Sequence, residues 1–313
     1  MKIVITGHNS LLGSNLAKEL AVSNKVILLG TRNKIYKKYK FKYDLQILDI
    51  NNLEEFFKKE KEIDLFIHCA GMNSNSCKNK EKEAFEFNVS FTEKLTKLCV
   101  LNKVRSFIYL SSVNVYQKSL NQKIFEDSPL SNENIYSIYK YKAEEIIEKI
   151  AKYSSMKFQI LRLSNVLAKP LNIDTNCWDL VVYNLCKEIT LNRTITIKTN
   201  ALNKRDFFDI KYLIDFINFF ITNSSKFNSG TKNFCSGQNI SILDLSLSLQ
   251  SLTLKNFFFK PEIIEINKRI DLDINNASYS VDEIEKLGFR VNNDIEDILE
   301  DILLTSKNYF SKI

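Results

Sequence analysis

The sequence predicts an α/β protein built on a parallel, doubly wound sheet. Three observations carry that expectation. Short β-branched runs alternate with helical stretches through the first half of the chain. The first of those strands runs straight into a glycine loop and a helix. Later strands open into small or polar residues, as at the carboxyl edge where such sheets bind ligands. With 313 residues, 44% of them hydrophobic, the chain can bury one large core or two domains sharing a sheet.

Residues 2–6 (Lys-Ile-Val-Ile-Thr) read as the first strand, followed by Gly7-His8-Asn9-Ser10-Leu11-Leu12-Gly13 and a helical pattern at Leu12, Leu16 and Leu20. Such a strand, loop and helix make a phosphate cradle in which backbone N–H groups and the helix dipole face the anion. Gly7 permits the tight turn, and Gly13 lets the helix pack close to the strand. Ser10 stands where a middle glycine is usual and narrows the approach to a pyrophosphate. A plain strand-to-helix turn is the competing reading, but two of only 7 glycines fall in this one loop.

The second strand, residues 25–30, ends in Gly30, with Arg32 just beyond. In a dinucleotide fold an acid here holds the ribose 2′-hydroxyl of NAD, whereas an arginine accommodates the 2′-phosphate of NADP. Gly30 and Arg32 together favour NADP(H) over NAD(H). Asp49-Ile50 closes a short strand, residues 53–61 are helical, and 64–69 form a buried strand opening into Cys69-Ala70-Gly71. A helix over about 80–101 carries Asn88, and a strand over 106–111 ends in Ser111-Ser112. The helix 135–152 and the strand 158–163 complete the alternation. Beyond about Val166 the chain is expected to alternate between a small substrate lid (roughly 170–205 and 250–285) and returns to the main fold.

Within the helix 135–152, Tyr136 and Lys140 are four apart and share a face. An ammonium beside a phenol favours the phenolate, and such a pair can pass a proton to or from a substrate oxygen near neutral pH. Spacing alone does not single them out, because Tyr36/Lys40, Tyr153/Lys157 and Tyr183/Lys187 repeat it. Read alone, each such pair is a solvated helix face. What separates Tyr136 is that Ser112 ends the preceding strand 24 residues earlier, a loop's distance from lying beside it.

The net charge of +7 suits a polyanionic ligand, yet the basic residues are scattered and no aromatic-basic platform is visible, which argues against nucleic acid. The six cysteines form no C-x-x-C and there are only two histidines, so no metal is expected and the thiols read as free. The chain opens directly into a strand and its longest apolar runs are too short to span a bilayer. A soluble cytoplasmic protein without membrane contact is expected.

Taken in order, Thr6 to Gly13, Cys69-Ala70-Gly71, Asn88, Ser111-Ser112-x-x-Val115-Tyr116 and Tyr136-x-x-x-Lys140 resemble the extended short-chain dehydrogenase/reductases, in particular their nucleotide-sugar epimerase, dehydratase and reductase branch. The resemblance continues through Arg162-Leu163-Ser164-Asn165-Val166, Arg205-Asp206-Phe207 and Phe234-Cys235-Ser236-Gly237. It implies a Rossmann-like domain over 1–165 and a mainly substrate-binding α/β domain over 166–313, with segments around 205–245 returning to the first. It also implies that Tyr136 is the proton donor or acceptor, that Lys140 binds the nicotinamide ribose and lowers the Tyr136 pKa, and that Ser112 hydrogen-bonds the same sugar oxygen. On the cofactor side it implies Gly7, Asn9, Ser10, Leu11, Leu12 and Gly13 at the pyrophosphate, and Arg32, Asp49 and Ile50 at the adenosine end. Cys69, Ala70, Gly71 and Asn88 fall on the ribose side. Asn73, Asn165, Arg205 and a further basic contact from Lys268 or Arg269 are implied for a nucleoside-diphosphate sugar, in a homodimer serving surface polysaccharide biosynthesis.

Departures from the family pattern narrow the chemistry. Val113-Asn114 stand where 4,6-dehydratases carry an Asp-Glu pair, and the Cys and later His of 3,5-epimerising enzymes are missing. Reduction of a 4-keto-sugar nucleotide remains, with an NAD-retaining 4-epimerase as the alternative and a non-catalytic dinucleotide-binding protein as the rival from another class. Ser10 and Tyr139, the latter where a small residue usually precedes the lysine, argue for that rival. Trp178 is read equally as a stacking platform for the base or as core.

Overall fold

The computed structural model describes residues 1–30, 46–117, 122–131, 133–266 and 276–311, with 46–50 as backbone only. The first half runs β1 (Lys2–Thr6), α1 (Leu11–Leu20), β2 (Lys25–Gly30), β3 (Gln46–Asp49), α2 (Leu53–Lys59), β4 (Leu65–His68), α3 (Ser74–Asn79), α4 (Glu81–Phe85), α5 (Phe91–Leu101), β5 (Ser106–Ser112), β6 (Lys123–Ile124), α6 (Ile135–Ala151) and β7 (Lys157–Leu163). The remainder is β8 (Asn165–Leu167), α7 (Val181–Asn192), β9 (Thr194–Ile197), β10 (Lys204–Asp209), α8 (Ile210–Thr222), β11 (Gly230–Phe234), β12 (Asn239–Ser241), α9 (Ile242–Phe257), β13 (Glu262–Glu265), β14 (Ser278–Tyr279), α10 (Asp282–Glu285) and α11 (Glu296–Phe310).

Among the described residues seven strands form one sheet in the order β11-β7-β5-β4-β1-β2-β3, every neighbouring pair parallel. Its strands are buried on both faces, which is why they read as unbroken apolar runs. Ile3, Ile5, Ile67, Ile108 and Leu161 join Leu16 of α1, Leu213 of α8 and Leu249 of α9 in one core. Their neighbours Val4, Phe66, Phe107 and Ile160 point the other way, to Leu95 of α5 and Ile147 of α6. The chain leaves β1 for β2 on one side and later returns to place β4 on the other. That reversal opens a crevice at the carboxyl ends of β1 and β4, where doubly wound sheets take their ligands. The expected doubly wound, Rossmann-like α/β fold is present.

The expected helix over 80–101 is interrupted. α4 and α5 are separated by a π-helical turn, Glu86–Ser90, and Asn88 lies inside it. The wider turn lets Asn88 reach back to the loop after β4.

The later segments build smaller sheets beside the crevice. β10 pairs in parallel with β8 and antiparallel with β12, while β9 pairs with β13 and β6 with β14. β11 leaves this region to complete the large sheet beside β7. Among the described residues no helix is long and apolar enough to cross a membrane.

Candidate active site

The cradle after β1 is built by close backbone approach. Gly7 takes φ +74°, and a Cβ there would lie 2.8 Å from the Ala70 backbone nitrogen. A Cβ on Gly13 would lie 2.2 Å from the Gly7 carbonyl oxygen. Both glycines therefore serve packing behind the cleft, at positions where any other residue forces the loop apart. Ser10 caps α1, its Oγ accepting from Gly13 N at 3.1 Å. Its hydroxyl is thereby turned into the helix, and the first-turn amides of Leu11 and Leu12 belong to the set a helix cannot satisfy from within. Asn9, Ser10, Leu11 and Leu12 all line the cleft.

The opposite wall of the crevice follows β4. Thr6 Oγ1 lies 2.7 Å from His68 Nδ1 and accepts from Ala70 N at 3.2 Å, and the far ring nitrogen of His68 lies 3.0 Å from Thr92 Oγ1. Burial, aided by the Lys140 charge, drives the His68 pKa down to about 3, so the ring is a neutral pin joining β1, β4 and α5. Asn88 clamps the loop, accepting from Met72 N at 2.7 Å and donating to Met72 O at 3.2 Å. Cys69 and Gly71 line the cleft, with Ala70 and Asn88 behind them. A Cβ on Gly71 would meet only Asn88 Oδ1 at 3.5 Å and Lys140 Nζ at 3.6 Å.

Ser112, Tyr136 and Lys140 meet in the same cleft, of about 550 Å³. Asn134 caps α6 by accepting from Ser137 N at 2.9 Å, and Ser137 Oγ donates to Asn114 O at 2.5 Å. These bonds fix the start of α6 against the end of β5. The Ser112 hydroxyl faces the Tyr136 phenol in the cleft and favours its ionised form. Lys140 Nζ donates to Leu110 O at 2.8 Å and stands 4.7 Å from the Tyr109 ring centre. Burial lowers the Lys140 pKa to about 8, with Glu144 pulling the other way.

The expectation that Lys140 holds the Tyr136 pKa down is corrected here. Burial raises the phenol to about 12, and the opposing influence comes from Ser112. The ammonium is directed at Leu110 and Tyr109 rather than at the phenol oxygen, so the four-residue spacing brings the side chains together without joining their polar ends.

Behind this trio lies a buried network that the spacing of motifs did not reveal. Glu144, one turn beyond Lys140, accepts from Ser111 Oγ and from Arg162 Nη2 at 2.7 Å, and Arg162 Nη1 donates to the Tyr116 hydroxyl at 2.8 Å. Tyr116 in turn donates to Asn233 Oδ1 on β11 at 2.6 Å. Glu144 and Arg162 are 1% and 5% exposed, so each charge depends on the other.

The cleft lining also holds Asn73, Asn165 and Arg205, together with Ser76, Asn176 and Val181, which were not foreseen. Asn73 Oδ1 caps α3 through Ser76 N at 2.9 Å, and Asn165 Nδ2 donates to Asp206 O at 2.8 Å. Arg205 makes no ion pair among the described residues. The carboxylate of its neighbour Asp206 accepts from Ser236 N at 3.0 Å and from the Ser236 and Ser164 hydroxyls.

Arg32, Lys268 and Arg269 lie outside the described residues. Asp49 ends β3 in register with Gly30, and Ile50 follows; their side chains are likewise outside the description. Two suspicions dissolve. Tyr139 points away from the cleft, its ring edge-on to Phe85 at 5.5 Å and its hydroxyl 3.4 Å from Glu81. Trp178 is half-buried and lies outside the cleft lining, packing edge-on against Phe310 at 4.8 Å and donating to Ile173 O at 2.9 Å. Ala168 is held by Tyr183, whose hydroxyl accepts from its N–H at 3.0 Å and donates to its carbonyl at 2.8 Å.

The family model for the NAD dependent epimerase/dehydratase family matches residues 3–233. A dTDP-D-glucose 4,6-dehydratase of Dictyostelium discoideum is 33% identical over 191 residues, 53% of this chain and 44% of that protein. A UDP-glucose 4-epimerase of Vibrio cholerae is 24% identical over 222 residues, 69% of this chain and 65% of that one. The match thus spans less than two thirds of either relative's length. Among solved structures, a UDP-N-acetylglucosamine 4-epimerase from Methanobrevibacter ruminantium M1, in complex with UDP-N-acetylmuramic acid, superposes with a TM-score of 0.84 at 19% identity, over 100% of this chain and 99% of that one. With the cradle, the Ser-Tyr-Lys cleft and a family match over most of its length, the chain belongs to the NAD dependent epimerase/dehydratase family, among the extended short-chain dehydrogenase/reductases.

Proposed function

We propose that the protein is an NADPH-dependent reductase of a 4-keto sugar carried on a nucleoside diphosphate. The observation that carries this reading is the state of Tyr136, the cleft phenol that stands beside Ser112, since the Tyr183 hydroxyl is tied to the Ala168 backbone. A pKa of about 12 leaves Tyr136 protonated at neutral pH, with a phenolate fraction on the order of 10⁻⁵. Reduction begins with an acid ready to donate, whereas an epimerase must begin by removing a proton from the sugar hydroxyl.

The described residues lining the cleft include no carboxylate and no imidazole, and the Cys69 thiol is pushed up to about 12 by burial. Val113 is buried and Asn114 is exposed outside the cleft, so elimination of water across the sugar has no acid-base pair to use. A single proton donor suffices for reduction at one carbon.

The Gly7 and Gly13 approaches and the α1 N-terminus fit the pyrophosphate of a nicotinamide dinucleotide. When bound in its reduced form, the cofactor supplies a hydride. Tyr136 donates its proton to the ketone oxygen and Ser112 hydrogen-bonds the same oxygen as negative charge develops there. Lys140, buried beside Gly71, offers its cation to the ribose side of the cofactor. Arg205 meets the substrate's diphosphate with a guanidinium that no carboxylate among the described residues neutralises. Gly30 at the acid's position, with Arg32 beyond it, supports NADPH.

The NAD-retaining 4-epimerase is the second reading, favoured by the match to the Vibrio cholerae enzyme and served by the same three residues. Incubation of purified protein with NADPH and a 4-keto-sugar nucleotide separates them. Stoichiometric NADPH oxidation supports the reductase; interconversion of sugars by co-purified NAD, without net cofactor turnover, overturns it.

A further inference from the structure

The cradle contains a residue whose position bears on which cofactor it takes. His8 follows Gly7 in the loop after β1, and Thr6 is in register with Leu29, so the loop passes beside the end of β2. The imidazole turns across that end and packs on Gly30. A Cβ built on Gly30 would lie 2.0 Å from His8 Cε1 and 2.6 Å from His8 Nδ1. The ring is only 4% exposed, and its Nδ1 has no hydrogen-bond partner among the described residues. Burial lowers its pKa, the Leu29 carbonyl opposing, so the ring is neutral at physiological pH. Gly30 on β2 and His8 in the loop thus share one volume: a side chain can come from one of them, not from both.

We propose that His8 is a specificity-determining residue for the cofactor: its imidazole occupies the space that a ribose-reading carboxylate at position 30 would need, and forms the wall of the adenine-ribose site in its place. This rests on the NADP(H) reading given above. A carboxylate at the end of this strand binds a free 2′-hydroxyl and repels a 2′-phosphate. An uncharged imidazole in the same space does neither, and leaves room and potential for the phosphate. The glycine at position 30 is then a consequence of His8, and a substitution there toward an NAD-type acid fails unless the ring is removed first.

The test is a double-mutant cycle on the full chain. Gly30→Ala adds the bare Cβ. With His8 present it is expected to lower the melting temperature by about 2 °C or more, and in the His8→Ala background to leave it unchanged or raise it, since alanine is the better strand residue. Gly30→Asp is then titrated with NADPH and NADH in both backgrounds. With His8 it is expected to weaken both cofactors, or to fail to fold. With His8→Ala it is expected to move the NADH-to-NADPH affinity ratio by about tenfold or more toward NADH. Additive melting shifts overturn the shared volume. A Gly30→Asp single variant that moves the ratio as far as the double, or a folded double that leaves it unmoved, overturns the specificity role. A wild-type protein that prefers NADH instead sinks the NADP(H) reading, and the coupling between positions 8 and 30 is read independently of it.

Discussion

Tyr136 and Lys140 lie one turn apart on α6, yet their polar ends turn to different neighbours: the phenol stands beside the Ser112 hydroxyl, while the ammonium donates to the Leu110 carbonyl at 2.8 Å. The pair is therefore two devices on one helix face. Ser112, at the end of β5, faces the phenol, and the Leu110 carbonyl of the same strand holds the cation in place.

Replacing Tyr136 by Phe removes the donated proton and leaves the cradle intact. Turnover of a 4-keto-sugar nucleotide is expected to fall by about 10²-fold or more, with cofactor affinity changed little. Single-turnover rates together with cofactor titration check both halves; near-normal turnover would remove Tyr136 from the mechanism.

Lys140 yields a pH prediction. Its pKa of about 8 means that the cation present at pH 7 is lost as pH rises through 8, so kcat/KM in the reducing direction is expected to fall along that limb. Stability runs the opposite way. The unfolded lysine, titrating near 10.4, binds more protons than the folded one between about pH 8 and 10, so stability of the cofactor-free protein rises with pH across that window. Lys140→Met is accordingly expected to stabilise the cofactor-free protein at pH 7 by about 1–3 kcal/mol while removing activity. Denaturant melts at pH 7 and pH 9.5 measure it, and equal stability of the two proteins at pH 7 would refute it.

For the Glu144–Arg162 pair, single replacement leaves a buried charge alone. Arg162→Met is expected to cost about 3–5 kcal/mol, and Glu144→Leu in the same chain to restore much of it. Chemical denaturation of the two single variants and the double is the measurement. Independent, additive losses would show that the charges do not depend on one another.

Arg205→Ala tests the substrate end. Loss of a charge-assisted phosphate contact of about 1.5–3 kcal/mol raises KM for a nucleotide sugar roughly 10- to 100-fold. Cofactor affinity is expected to stay level. A fall in kcat alone, with KM constant, would place Arg205 outside substrate binding.

The parts of the fold that were legible in the sequence are those coded locally. Gly7, Ser10 and Gly13 act within one turn of chain, and the strands announce themselves as runs of Ile, Val, Leu and Phe because both sheet faces are covered. The meeting of Ser112 with Tyr136 was legible because one ends a strand and the other begins the next helix. Residues whose meaning depends on distant partners were not. Glu144 reads as a surface charge on a helix until Arg162, 18 residues away, closes on it inside the core. Tyr139 looked obstructive from its place before Lys140, but a residue one position away on a helix points about 100° aside. Asn88 was placed on a plain helix because a single extra residue in a turn leaves no trace in apolar spacing. Gly30 was read as a missing acid, and the ring that fills the space came from a different strand's loop.

The pairing of β11 with β7 has a consequence for biosynthesis. Gly230 aligns with Gln159 and Phe234 with Leu163, so the seventh strand of the nucleotide-binding sheet is translated some 70 residues after the strand it covers. When the ribosome has released residues 1–165, β7 is a naked apolar edge, the kind of edge that templates aggregation. Asn233, which accepts from Tyr116, has also yet to be made. Until β11 emerges, the first 165 residues carry that edge uncovered. A gene cut after residue 165 would yield an adhesive fragment, and a chimera that exchanges substrate specificity must carry β11 with the recipient sheet.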